Sequence, residues 1–225
     1  DLRPSHILTR GAIENAVKVN VALGGSTNAA IHLIAIARRA GHNFTLQQFD
    51  KVARGVPVLA NVQPSGEHLM HEFADAGGLP ALLIQLQSVL DTQQRTILDE
   101  NLADVINRAR VDDAEVIRPL DNPVAKQALA VVSGNLAPNG AVIKPSAATP
   151  ALMNHRGYAL VFEDAADMAA RIHSDDLEVS VDSVLVLRNC GPQGGPGMAE
   201  NGMLPIPKKL AEQGVRDVLR LSDAR

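Results

Sequence analysis

Arg118-Pro119-Leu120-Asp121-Asn122-Pro123 separates two parts of the sequence that differ in their pattern of apolar residues. Two prolines beside an Asp-Asn pair are typical of a connection between domains. Before this stretch, glycines separate segments with helical periodicity; after it, short apolar runs rich in β-branched residues alternate with turns. The sequence therefore predicts an α/β protein with a helical part over residues 1–117 and a mixed β part with peripheral helices over residues 118–225.

Side chains suited to capping mark the helix starts of the first part, because they accept hydrogen bonds from the free N–H groups of the first turn. The predicted caps are Ser5 or Thr9, Ser26, and Thr45 with its capping-box partner Gln48. Gly24-Gly25 and Gly77-Gly78 separate consecutive helices. The helix after Ser26 is apolar nearly all round, so we expect it to be buried between other elements. A polar helix is predicted over residues 99–110.

The second part contains apolar runs of strand length bounded by turn residues. The predicted strands cover residues 129–132, 141–143, 159–162, 179–187 and 218–221. A helix is predicted over residues 163–172, between two of these strands. These elements predict a mixed β domain with peripheral helices in this part.

The composition excludes two broad classes of partner. The net charge is −4 and 2% of the residues are aromatic, so the chain lacks the basic surface and the stacking platforms with which proteins bind nucleic acids. The most apolar run, residues 29–37, is too short to span a membrane. The first residues lack the layout of a signal peptide, and a single cysteine, Cys190, suits a reducing compartment. We expect a cytoplasmic protein without nucleic-acid or membrane partners.

The turn Gly24-Gly25-Ser26-Thr27-Asn28 is a candidate anion site. Free N–H groups and the positive end of a helix dipole suit a carboxylate or a phosphate. Ser26, Thr27 and Asn28 are therefore candidate substrate-binding residues. The alternative is a tight turn between two helices with an ordinary cap.

Two further candidates lie near the end of the chain. The loop Cys190-Gly191-Pro192-Gln193-Gly194-Gly195-Pro196-Gly197-Met198-Ala199-Glu200 is rich in glycine and proline, and its Glu200 is a carboxylate suited to Mg²⁺. The alternative is a long surface loop with a solvated glutamate. The final residues run from a predicted strand into Asp223 and Arg225, which is either part of a site motif or a frayed terminus.

Two other possible sites have weaker support. His68 and His71 have the spacing of a metal-binding pair on a helix, but no third ligand cluster is evident, so we expect an exposed helix face. Cys190 has no His–Asp arrangement near it in the sequence, so we expect a small semi-buried residue rather than a nucleophile.

Several of these stretches together resemble the family of dihydroxy-acid and phosphogluconate dehydratases, which also contains the aldonate dehydratases. The resemblance spans essentially the whole chain, with the stretches in family order. They are residues 4–10, Glu14-Asn15-Ala16, Gly24-Gly25-Ser26-Thr27-Asn28-Ala29, Ala76-Gly77-Gly78, Ile117-Arg118-Pro119, residues 134–144 and residues 191–198. Asn189-Cys190-Gly191-Pro192 and Ser222-Asp223-Ala224-Arg225 are most similar to the sugar-acid branch, because the branched-chain enzymes usually carry Glu-Gly-Pro and Thr-Asp-Gly-Arg there.

The resemblance implies a hydro-lyase that converts a 2,3-dihydroxy sugar acid to a 2-keto-3-deoxy acid. In this family an iron–sulfur cluster acts as a Lewis acid on the C3 hydroxyl, Mg²⁺ binds the carboxylate side, and a serine alkoxide removes the C2 proton. By resemblance Glu200 is a Mg²⁺ ligand, and Asp223 and Arg225 belong to the active-site motif. The implied fold is the helical end of an N-terminal α/β domain followed by a β-barrel-like, swivelling domain.

The chain departs from the family pattern in the residues that it lacks. The family's cluster cysteines and the other Mg²⁺ ligands match no residue here, and the serine base is expected just beyond Arg225. We therefore expect an internal part of a longer enzyme that binds neither cofactor and has no turnover alone. Apolar surface left by the missing parts predicts homo-oligomers.

Three alternatives stay open from the sequence. One is a branched-chain dihydroxy-acid dehydratase. Another is a non-catalytic binding or assembly module. The third is a regulatory domain that binds a small acid at the Gly24–Asn28 turn.

Overall fold

A computed structural model describes residues 2–191 and 203–224. The chain divides into a first unit, Asp1–Ala147, and a second unit, Ala148–Arg225. The predicted division into residues 1–117 and 118–225 stays a prediction, because compact units in space and domains of a family need not share a boundary. Within the described ranges no helix has the length and apolar character needed to cross a membrane.

The first unit is built mainly from helices, as predicted. They are α1 (Pro4–Ile7), α2 (Arg10–Ala22), α3 (Thr27–Arg39), α4 (Leu46–Ala53), α5 (Met70–Asp75), α6 (Gly78–Leu86) and α7 (Leu102–Asn107). Three predicted caps are confirmed: Thr9 accepts from the Ala12 N–H at 3.1 Å, Ser26 caps α3, and Thr45 and Gln48 form a reciprocal capping box. Local side-chain chemistry therefore sets the starts of these helices.

Two predictions for these helices are wrong in part. The buried residues of α3 are Ala30 and Ala37, whereas Ile31 and Ile36 are 36% and 43% exposed, so no element within the described ranges covers its outer face. The polar helix predicted over residues 99–110 is shorter, since α7 begins after Asn101. Asp99 has a left-handed φ of 63°, which cannot continue a right-handed helix.

The core of the first unit joins the helices to an extended, buried segment that the sequence did not predict. Residues 58–62 pair with residues 116–125 and with His68 through isolated bridges, including Val58 with Ala125 and Ala60 with Ile117. The Arg118 N–H donates to the Leu59 carbonyl at 2.9 Å. The proline-rich stretch that opens the second half of the sequence is therefore hydrogen-bonded into this unit.

Strands β1 (Ala130–Val132) and β2 (Ala141–Ile143) form an antiparallel pair in the first unit, with Val131 opposite Val142. A short 3-10 turn, Pro145–Ala147, follows β2. The pair is joined by the turn-rich segment 133–140. This arrangement confirms the two strands predicted there and sets Lys144 directly after β2.

The second unit is a three-stranded parallel sheet with helices in its connections. Its elements are a 3-10 turn (Pro150–Leu152), β3 (Ala159–Phe162), α8 (Ala165–Arg171), β4 (Val184–Leu187), α9 (Lys208–Glu212) and β5 (Arg220–Ser222). The strand order is β3-β4-β5, with Val161 opposite Val186 and Val186 opposite Leu221. Phe162, Leu185, Leu187 and Leu210 belong to a separate core cluster.

The sheets correct one part of the fold prediction. The mixed α/β class is confirmed, but among the described residues the strands form two small open sheets and no closed barrel. The second sheet is parallel because the connections from β3 to β4 and from β4 to β5 contain the helices α8 and α9, which return the chain to the same edge of the sheet. Its carboxyl ends therefore meet at one edge.

Candidate functional site

The carboxyl edge of the second sheet brings together residues that are far apart in the sequence. Glu163 follows β3, the turn Arg188-Asn189-Cys190-Gly191 follows β4, and Asp223 follows β5. In open parallel sheets this edge is where ligands usually bind, because several strands deliver side chains and loops to it. We call these residues the carboxyl-edge site.

The turn after β4 is fastened to the end of β3. Arg188 Nη1 donates to both carboxylate oxygens of Glu163 at 2.9 Å. Asn189 has a left-handed φ of 55°, a conformation that Asn adopts more readily than other non-glycine residues, and its Nδ2 donates to the Glu163 carbonyl at 2.9 Å. Side chain and backbone thus hold the turn in one conformation.

The same turn is fastened to the end of β5. Asp223 Oδ1 accepts a hydrogen bond from the Cys190 N–H at 2.9 Å. A Cβ on residue 191 would lie 2.7 Å from the Asp223 carbonyl oxygen, closer than side chains tolerate, so glycine is required for this approach. The predicted motif residue Asp223 therefore lies beside the start of the glycine-rich loop.

The thiol of Cys190 belongs to the core rather than to the chemistry. Cys190 is 4% exposed and is part of the second core cluster. Burial raises the pKa of the thiol, and the negative charge of Asp223 raises it further. A thiol with a raised pKa is a poor nucleophile and a poor metal ligand at neutral pH, which agrees with the semi-buried, unreactive residue expected from the sequence.

Two predicted site residues of this region, Glu200 and Arg225, lie outside the described residues, as does most of the glycine-rich loop. Their roles as a Mg²⁺ ligand and as a member of the active-site motif stay predictions. The structure describes the start of the loop, at Cys190 and Gly191, and the beginning of the motif, at Ser222 to Ala224.

The second candidate, the turn Gly24–Asn28, lies in the first unit between α2 and α3. Gly24 adopts a left-handed φ of 70° and ends α2, while the Ser26 Oγ caps α3 by accepting from the Asn28 N–H at 3.1 Å. A Cβ on residue 25 would lie 2.0 Å from Asn20 Oδ1. The two glycines are therefore needed for the turn itself, which is the structural alternative considered for this motif.

A lysine that the sequence did not single out lies at this turn. Lys144 Nζ donates to the Gly24 carbonyl at 2.5 Å, and burial lowers the pKa of Lys144. The hydroxyls of Ser65 and Ser146 are hydrogen-bonded to each other at 3.1 Å, and Ser65 lies next to Gly24. Two stretches that carry the family resemblance, residues 24–29 and residues 134–144, thus meet here.

An apolar groove of about 710 Å³ opens beside the turn. Its lining combines apolar side chains of α2, α3 and α6 with Asn15, Asn20, Ser26, Asn28 and His32. The buried Asn20 Nδ2 and Asn28 Oδ1 have no hydrogen-bond partner within the described part of the chain. Asn15, in contrast, is paired on both sides: Nδ2 donates to the Asp91 carbonyl and Oδ1 accepts from the Asp91 N–H.

The described residues do not fit an iron–sulfur cluster or a metal ion. The sequence has one cysteine, whereas a cluster is normally held by several, and that cysteine is buried in the core. Within residues 2–191 and 203–224 no three His, Cys, Asp or Glu side chains converge. His68 precedes α5 and pairs with Glu72 at 2.7 Å, so His68 and His71 do not share a helix face and the prediction of one exposed face for both is wrong.

Sequence reasoning missed the contacts that assemble the carboxyl-edge site. Asp223 was predicted from its motif, but its bond to the Cys190 N–H and the fastening of Asn189 to Glu163 were not. The signal was present, since Glu163, Arg188 and Asp223 each follow a short apolar run, and helix-containing connections between such runs indicate parallel strands.

Comparison with known proteins agrees with the resemblance seen in the motifs. Models of the N-terminal and C-terminal domains of the dihydroxy-acid/6-phosphogluconate dehydratases match residues 1–105 and residues 115–225. The chain is 49% identical to the 6-deoxy-6-sulfo-D-gluconate dehydratase of Pseudomonas putida, over 100% of the chain and 40% of that relative. It is 45% identical to the L-arabinonate dehydratase of Rhizobium leguminosarum, over 100% of the chain and 39% of the relative.

A relative from the other branch is also similar. The dihydroxy-acid dehydratase of Methanobrevibacter smithii is 40% identical, over 100% of this chain and 41% of the relative. The chain thus spans about two fifths of the length of the curated relatives it matches. The models of both domains of one family match consecutive parts of the chain and together cover nearly all of its residues. The chain belongs to the dihydroxy-acid/6-phosphogluconate dehydratase family.

Proposed function

We propose that the whole protein carrying this sequence is a hydro-lyase that converts a 2,3-dihydroxy sugar acid to a 2-keto-3-deoxy acid. The observation that carries the proposal is the carboxyl-edge site, where the start of the glycine-rich loop and the Ser222–Ala224 stretch lie against each other. Both stretches have the sugar-acid form in this chain. The printed names of two relatives, at 45% and 49% identity, support the same substrate class.

The reaction removes the elements of water from two neighbouring carbons. The C2 proton and the C3 hydroxyl leave, the electron pair of the C2–H bond forms a C2–C3 double bond, and an enol results. The enol takes a proton from solvent at C3, releases its C2 hydroxyl proton and becomes the 2-keto-3-deoxy acid. The base that removes the C2 proton is proposed to be a serine beyond Arg225.

The cofactors proposed for the whole protein are the family's iron–sulfur cluster and Mg²⁺, which supply Lewis-acid chemistry when bound. Glu200 is the proposed contribution of this chain to the Mg²⁺ site. Since the described residues do not fit a cluster, its ligands would come from other parts of the whole protein. We propose accordingly that residues 1–225 alone have no turnover.

The Gly24–Asn28 turn is the weaker candidate for binding the substrate carboxylate, through Ser26, Thr27 and Asn28. The cation of Lys144 near Gly24 supports an anion there, but its hydrogen bond to the Gly24 carbonyl already gives it a structural role. A cytoplasmic homo-oligomer completes the proposal for the whole protein.

A branched-chain dihydroxy-acid dehydratase is the second candidate, favoured by the relative at 40% identity. The substrates of the two candidate enzymes differ at C3, which carries a hydrogen in sugar acids and an additional alkyl group in branched-chain substrates. Purified whole protein is to be assayed with L-arabonate and with 2,3-dihydroxy-3-methylbutanoate. The proposal predicts a higher kcat/KM for the sugar acid; a higher value for the branched acid would overturn the substrate class, and release of no 2-keto acid from either would overturn the hydro-lyase.

A further inference from the structure

Asp223 is exposed at the end of β5, yet one of its carboxylate oxygens is used by the protein itself. Oδ1 accepts the Cys190 N–H at 2.9 Å. A hydrogen bond from a backbone N–H to a charged carboxylate is stronger than one between neutral groups. The carboxylate therefore has a structural hydrogen-bond partner within the protein, whether or not a substrate is bound.

The hydrogen bond from the Cys190 N–H to Asp223 helps to set the direction in which the chain leaves the sheet after β4. On one side the turn is fastened to β3, by Arg188 on the Glu163 carboxylate and by Asn189 on the Glu163 carbonyl. The side chain of Cys190, in the middle of the turn, packs in the core cluster of the second unit. On the remaining side, Asp223 supplies the acceptor that ties the turn to β5.

We infer that Asp223 is a positioning residue, which holds the Asn189–Gly191 turn against the end of β5 and acts on the reaction through that turn. The inference gives a role to a motif residue that the sequence places near the active site, and its catalytic consequence rests on the proposed function. It requires a hydrogen-bond acceptor at position 223 rather than a negative charge. Asp223→Asn keeps an acceptor oxygen, whereas Asp223→Ala removes it.

The single cysteine allows a direct test, because labelling residues 1–225 with ¹⁵N-cysteine gives one backbone amide signal, that of Cys190. In Asp223→Ala the Cys190 amide proton is expected to shift upfield and to exchange with solvent about tenfold faster or more, the loss expected for one hydrogen bond to a charged group. In Asp223→Asn, which keeps a neutral acceptor, both changes are expected to be clearly smaller than in Asp223→Ala.

Asp217→Ala is the matched control. Asp217 precedes β5, at the opposite end from Asp223, where its carboxylate accepts from Thr149 Oγ1 at 2.5 Å and from Arg220 at 3.1 Å. Its loss removes similar hydrogen bonds from the same unit but leaves the Cys190 signal unchanged. A Cys190 signal that Asp223→Ala does not move, or that Asp217→Ala moves equally, overturns the inference.

The catalytic consequence is measured on the whole protein with a sugar acid. Asp223→Ala is expected to lower kcat about 10²-fold with little change in KM, as for misplacement of reacting groups by about an ångström. Asp223→Asn is expected to retain most of the activity. Equal loss in both variants, with the Cys190 signal intact in Asp223→Asn, would show that the charge acts directly and would overturn the positioning role. If the unchanged protein fails to dehydrate sugar acids, the proposed function fails, while the amide signal still decides what Asp223 holds.

Discussion

Asn15 is predicted to be one of the main stabilising polar residues of the first unit. It is 7% exposed on α2, and its side-chain amide pairs with both backbone groups of Asp91, at 2.8 Å to the carbonyl and 2.9 Å from the N–H. This two-sided bond attaches the chain after α6 to α2. Removing it by Asn15→Ala leaves both Asp91 backbone groups without these partners.

The magnitude follows from the two bonds. Each contributes about 1 kcal/mol net, and a backbone group left without a partner away from water costs about 1–3 kcal/mol. Asp91 is itself exposed, so water can reach part of the vacated site and the lower figure applies to most of the loss. We expect Asn15→Ala to lower the free energy of unfolding by about 2–3 kcal/mol.

Urea unfolding followed by far-UV circular dichroism measures this change, because the first unit contains most of the helices in the described ranges and dominates the signal. The matched control is Asn135→Ala in the exposed turn between β1 and β2, which is expected to change stability by less than about 0.5 kcal/mol. Equal losses of stability in the two variants would show that the Asn15–Asp91 hydrogen bonds do not stabilise the first unit.

Two further outcomes test other contacts. The hydrogen bond between His68 and Glu72 raises the pKa of His68 above 6.5 and lowers that of Glu72 below 4.5, so their stabilisation is lost as pH rises through the folded pKa of His68 or falls through that of Glu72. NMR titration is expected to show a lower His68 pKa in Glu72→Gln, and an unchanged pKa would refute the pairing. Gly25→Ala is expected to cost about 1–3 kcal/mol in urea unfolding, because its Cβ would meet Asn20 Oδ1. Gly134→Ala, with open space around its Cβ, is its control, and equal losses would contradict the close approach.

The elements that could be predicted from the sequence are those set by neighbouring residues. The caps Thr9, Ser26 and Thr45 satisfy N–H groups two or three positions away, so their residue types suffice. Strands β1, β2 and β3 were predicted to within a residue, because turn residues bound each apolar run. In these segments local preference and tertiary packing agree.

The parts that could not be predicted depend on partners far along the chain. Residues 58–62 are an apolar run of strand length, but their own pattern does not identify the partners near residues 117 and 125 with which they pair. The outer face of α3 is apolar in sequence yet exposed in the first unit, since periodicity does not tell which faces find a partner. Helix α9 was missed because it is only five residues long, Lys208–Glu212.

In the candidate site, too, the motifs could be predicted from the sequence, whereas the contacts between distant residues could not. The motif containing Asp223 and the turn Gly24–Asn28 were recognisable as sequence, since both carry the family resemblance. The bond between Asp223 and the Cys190 N–H depends on strand order and register, with Leu187 beside Ser222. Lys144 at the Gly24 carbonyl depends on the packing of β2 near the end of α2, across 120 residues of sequence.

The hydro-lyase function is tested by dehydration of L-arabonate by the whole protein in D₂O, followed by NMR of the product. We expect a 2-keto-3-deoxy acid with one deuterium at C3, because the enol takes its new C3 hydrogen from solvent. Absence of a 2-keto acid with purified, cofactor-loaded protein would contradict the proposed function, and a product without deuterium at C3 would contradict the elimination through an enol.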